Sequence, residues 1–174
     1  HASQVGWGAL FSLDVSSVLL IITLFSYRIF KQVQLELTMA LLIFASLALA
    51  TTIFESISMM NLVSYSEAYM AAGEGEKGAL EASSVIVASL RNWSHYMALI
   101  MSGSTFLVFY MILLRGRLVP RLMAWFGMAA ALMQIIAVIG PFVGFGVNFV
   151  LIAPLALANL VHGLWLLTKG YSKA

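Results

Sequence analysis

There is no cysteine in the 174 residues, so neither a disulfide framework nor a thiolate metal site is available to this chain. Charge is almost as scarce. Nine Lys and Arg with seven Asp and Glu make up 9% of the sequence, where a soluble domain carries about 25%. So few charged groups cannot form the polar shell of a water-soluble fold of this length. Basic runs with interleaved aromatics are also missing, which excludes nucleic acid as a partner.

What is present is apolar. Hydrophobic residues make up 62% of the chain and its mean hydropathy is +1.00. Crossing a bilayer takes about 20 apolar residues per helix, because the hydrocarbon core is about 30 Å thick. Five stretches meet that need: A from about Val5 to Tyr27, B from Leu37 to Val63, C from Trp93 to Leu114, D from Leu122 to Ile139 and E from Val147 to Leu167. None shows the alternation of a barrel strand. The expectation is all-α: one polytopic transmembrane helix bundle over residues 1–174. No internal repeat is visible, so the inverted-repeat architecture of many transporters gains no support.

The sizeable polar segment is Ser64 to Asn92, expected as an extracytoplasmic loop. Its run Gly73-Glu74-Gly75-Glu76-Lys77-Gly78 is expected to break any helix. From Ala79 to Leu90, the spacing of Leu80, Val85, Ile86 and Leu90 predicts a short helix lying on the membrane surface. Pro120 suits the first turn of helix D, and Pro154 is expected inside helix E as a kink. Arg28 and Lys31 fall between A and B, Arg115, Arg117 and Arg121 between C and D, and Lys169 and Lys173 after E. Basic loops stay inside, so these three regions are expected to be cytoplasmic, at a bacterial inner membrane. The N-terminus is then outside, and a start at His1 predicts an upstream signal peptide or sixth helix.

The run Arg115-Gly116-Arg117-Leu118-Val119-Pro120-Arg121, followed by Trp125 and Gly127, resembles a signature of a bacterial membrane family known as domain of unknown function 4386. Pro154-Leu155-Ala156-Leu157 and Trp165-Leu166-Leu167-Thr168-Lys169-Gly170-Tyr171 resemble it too, and the similarity covers most of the chain. The resemblance implies a multi-helix bundle with one further hydrophobic segment at the start, and it brings no activity. An acidic residue follows the last helix's proline in the family. Here Asn159 stands in that place, a departure that puts any shared proton or metal chemistry in doubt.

Ionisable groups in hydrocarbon cost about 2.5–3.5 kcal/mol each on insertion scales, which makes them the first functional candidates. Asp14 lies roughly 12 Å below the expected outer surface, Glu55 roughly 10 Å and His95 roughly 3 Å, with Ser102 deeper on the same helix as His95. Together they suggest an outer pocket for a divalent cation, a proton-exchanging cluster or a small ligand. The bland alternative is Glu55 paired with Arg91, Asp14 bonded to a neighbouring helix and His95 at the headgroups. Asn159 and His162 form a second polar pair, in the inner half of helix E. His95 and His162 differ in depth by roughly 20 Å, so one haem cannot use both. A lone intramembrane histidine is expected to hydrogen-bond another helix.

Ser102-Gly103-Ser104 reads as small residues that let helices approach closely, and no Gly-x-Ser-x-Gly elbow occurs. Trp7, Trp93, Trp125 and Trp165 read as interface anchors. No motif names a cofactor. Three functions follow: an accessory or structural subunit of a membrane complex, which the lack of any catalytic constellation favours; a small-molecule, lipid or ion binding or transport protein using the outer pocket; and a membrane-embedded enzyme. The bilayer is the implied partner, with other membrane subunits beside it.

Overall fold

The computed structural model describes residues 2–171, so His1 and Lys173 lie outside the described residues. Five helices make up most of that span: α1 (Ala2–Val33), α2 (Leu35–Ala71), α3 (Glu74–Arg115), α4 (Arg121–Ile139) and α5 (Ala153–Lys169). No strand occurs among the described residues. Five helical segments are long and apolar enough to cross a membrane, the last starting at Phe149 in a short 3-10 turn ahead of α5. The all-α bundle of five spans expected from hydropathy is therefore the observed architecture.

Short connections force neighbouring helices to run antiparallel. Gln34 alone, in an extended conformation, joins α1 to α2. Its side-chain oxygen accepts a hydrogen bond from the Arg115 guanidinium, which ties this turn to the end of α3. The α3–α4 link folds back on itself, with Leu118 N–H donating to the Leu113 carbonyl at 3.0 Å and Arg117 taking a left-handed φ of 51°. One end of the bundle thus gathers Arg28, Lys31, Arg115, Arg117, Arg121 and Lys169, with Glu36. We call it the basic end. The opposite, hairpin end carries Glu67, Glu74, Glu76, Glu81, Lys77 and Arg91.

Packing is densest toward the basic end. Phe30, Leu41, Tyr110, Ile112, Leu113 and Leu118 are completely buried there. Glycine sets how closely the helices meet. A Cβ on Gly127 of α4 would sit 2.4 Å from the Tyr110 ring, and one on Gly103 of α3 would sit 2.9 Å from Ile135. The close approach expected around Ser102-Gly103-Ser104 is present, and Gly127 adds another.

Three local expectations are corrected. Residues 64–92 do not form a loop with a separate surface helix. α2 runs on to Ala71, only Ala72 and Gly73 turn, and α3 is continuous from Glu74. Glu74 and Glu76 in the first turn complement the helix dipole, and Lys77 pairs with Glu74 at 2.7 Å. A glycine in a helix costs only about 1 kcal/mol, so Gly75 and Gly78 are outweighed by the packing of α3 on α2. Pro154 does not kink α5; it lies in the helix's first turn, where its missing N–H removes no intrahelical bond. Trp165 is no simple anchor either, because its indole nitrogen is buried.

Candidate functional site

Besides Gln134 of α4, which donates to the Leu99 carbonyl at 2.9 Å, three sets of polar side chains inside the spans bear on the candidate residues. The first joins α2 to α3. Glu55 Oε1 lies 2.6 Å from His95 Nδ1, and these side chains are 12% and 34% exposed. Two helices packed along their length place facing residues at one depth, which brings together groups 40 positions apart in the chain. The expected partner Arg91 is not used by Glu55. Arg91 instead reaches the neighbouring Asn92, at 3.3 Å.

One helical turn beyond this pair, toward the hairpin end, lies a cavity of about 630 Å³. Met59 follows Glu55 by four residues and Arg91 precedes His95 by four, so both walls continue the helix faces that hold the pair. Val5, Met59 and Leu62 supply apolar surface, and Glu67, Arg91 and Asn92 a polar rim. A second cavity of about 750 Å³ shares Leu62, Ala88 and Asn92 with it and reaches Tyr96 and the α4–α5 connection. Both volumes fall within the range of small-molecule sites, about 300–1,000 Å³. Across the hairpin tip, Tyr69 donates to Glu81 at 3.4 Å and Tyr65 to Ser83 at 3.5 Å.

Asp14 does not join this group. It is exposed on the outward face of α1, with no hydrogen bond or ion pair among the described residues. The contact between α1 and α2 is made instead by Ser16 with Thr52 at 3.0 Å and by Ser56 with the Ala9 carbonyl at 3.4 Å. Ser102 is half-buried two turns along α3 from His95. The four expected pocket residues therefore resolve into one pair and two separate positions. No group of three or more His, Asp or Glu side chains among the described residues is placed to hold a metal ion.

The third group lies nearer the basic end. Tyr110 of α3 donates to Asn159 Oδ1 of α5 at 3.0 Å. His162, one turn further along α5, stands edge-on to Phe109 and Tyr110, with ring centroids 5.2 and 5.8 Å away at 88° and 78°. Only 6% of it is exposed, and neither ring nitrogen has a hydrogen-bond partner among the described residues. The expected bond from His162 to another helix is absent. Aromatic rings stand in its place, and their faces offer an N–H only weak attraction. Tyr171 folds back beyond α5 to pack on Phe30 and His162. Tyr110 joins Asn159 and His162 and was not foreseen from sequence; a tyrosine in a long apolar run carries no sign of facing inward.

No curated protein and no solved structure matches the chain. Residues 1–170 match the model of a domain of unknown function (DUF4386), and the chain belongs to that family.

Proposed function

We propose that this membrane protein binds a small amphiphilic molecule at its hairpin end. The Glu55–His95 pair, with a cavity of about 630 Å³ one turn above it, carries the reading. An apolar wall with a few convergent polar groups is the usual make-up of a small-molecule site. The ligand's chain would lie against Met59 and Leu62, its head at Glu67, Arg91 and Asn92. With the basic end in the cytoplasm, as positive loops require, the site opens to the outer face of a bacterial inner membrane.

Ala88 lines both cavities, so replacing it with Trp fills them without touching Glu55 or His95. The test is titration of purified protein in mild detergent with a spin-labelled single-chain amphiphile. Ala88→Trp should weaken binding about tenfold or more, a change of about 1.4 kcal/mol. Equal affinity for the wild type and Ala88→Trp sinks the reading.

A second reading, an accessory or structural subunit of a larger membrane complex, is favoured by a different observation. α1 is an edge helix that packs on α2 and barely touches α3, and it leaves an ionisable residue facing outward. Stable monomeric behaviour with no partner recovered from gently solubilised membranes counts against it.

A further inference from the structure

We propose that the outward face of α1 docks a transmembrane helix of a different protein, one bearing a lysine, arginine or histidine level with Asp14. The inference deepens the subunit reading and is independent of the ligand site. It starts from spacing. Trp7, Phe11, Asp14, Val18, Ile21 and Phe25 are all exposed and recur by steps of four and three, along the middle of a wider exposed face that also carries Leu10, Val15, Ile22 and Ile29. That rhythm of 3.5 residues is the seam along which two helices wind about each other. The opposite face is already occupied: Ala9, Thr23, Ser26 and Phe30 are buried.

An apolar seam alone proves nothing in a membrane, since lipid tails are as apolar as leucine and need no replacing. Asp14 makes the difference. It stands midway along the seam, exposed, with no partner among the described residues. A short carboxylate side chain cannot snorkel as lysine does. Arg28 is 14 residues away on the same helix, roughly 21 Å along its axis, and cannot pair with it. Where this chain holds its other intramembrane acid, Glu55, it supplies a histidine at 2.6 Å. The complement missing from Asp14 is a cation on another helix.

A second copy of this chain is a poorer occupant. Copies inserted the same way round meet in parallel, and two-fold pairing on this seam sets one Asp14 carboxyl group against another. A basic partner meets no such conflict.

The test uses the whole protein in its native membrane. A photo-crosslinking amino acid replaces Phe11 or Val18, one turn either side of Asp14, with exposed Ile136 of α4 as the control position. Adducted peptides are sequenced by mass spectrometry. The expected adduct at Phe11 and Val18, absent at Ile136, is an apolar segment of another protein with Lys, Arg or His within one turn of the crosslink. Its yield falls about tenfold in Asp14→Asn, and equally when the partner's base is replaced by Gln. Asp14→Asn removes a charge from hydrocarbon, so failure to insert does not explain the loss. Adducts confined to lipid, to a second copy or to a segment without such a base overturn the proposal, as does an unchanged yield in Asp14→Asn. If a partner still co-purifies while α1 crosslinks only to lipid, the subunit reading survives and this interface does not.

Discussion

The two ends of the bundle are built differently. At the basic end, Phe30, Tyr110, Leu113 and Leu118 are wholly buried, a ring lies where any side chain on Gly127 would need to be, and Tyr171 closes back over the core. At the hairpin end the same helices line cavities of about 630 and 750 Å³, where polar contacts stand beside a Trp93 ring set edge-on to Tyr96 and Phe142. A tightly packed end tolerates little change and has no room for a guest. A loosely packed end is where a ligand fits and where local opening is least costly. Of the residues that carry the family likeness, Arg115 to Gly127 and Trp165 to Tyr171 fall at the packed end, while Pro154 to Leu157 lie at the far end of α5.

The contrast predicts a ranking of mutational cost. Tyr110→Ala should be the most damaging: it empties a ring-sized space beside Gly127 and leaves Asn159 without its donor. Large-to-small aromatic changes in cores cost about 3–5 kcal/mol, which thermal unfolding in mild detergent would register as a large fall in midpoint. A loss below about 1 kcal/mol would mean that the basic end collapses into the space and is not rigid. His162→Leu comes next and carries the opposite sign. A buried polar group without a partner costs about 1–3 kcal/mol, so removing the imidazole should raise the unfolding midpoint. A fall instead would show that His162 has a polar partner in the membrane and would make the packed end a second site.

The spans themselves were legible because 20-residue apolar runs survive any error in local detail. Continuity of α2 and α3 through residues 64–92 was not. Gly73, Gly75 and Gly78 look like a break when propensity is summed locally, while the packing that outweighs them comes from another helix. Rotation was equally hidden. Hydropathy gives the depth of Asp14, Glu55 and His95 but not the direction each faces on a helix that is apolar nearly all round. Depth set Asp14 and Glu55 near one level and His95 closer to the surface; the fold joins Glu55 to His95 and turns Asp14 outward. Pro154 was misplaced for a simpler reason. An apolar run does not mark its helix start, and here 3-10 turns take up the residues before Ala153.

The smallest of these effects decides what holds the hairpin end together. Glu55 and His95 form the shortest polar contact between α2 and α3, at 2.6 Å, yet a third of the histidine side chain is exposed, which lets solvent weaken it. A double-mutant cycle of Glu55→Gln and His95→Gln, read by unfolding in mild detergent, should give a coupling of about 0.5–1.5 kcal/mol. That lies well below the cost of Tyr110→Ala at the other end, and the comparison rests on this inequality. A coupling near 3 kcal/mol, the upper limit for contacting residues, would make the pair a structural clamp. The cavity above it would then be a gap between well-fastened helices and a poorer candidate for a binding site. A modest coupling leaves α2 and α3 able to adjust around a ligand seated against Met59 and Leu62 with its head at Glu67, Arg91 and Asn92, which is what a site must do if its occupant is to come and go.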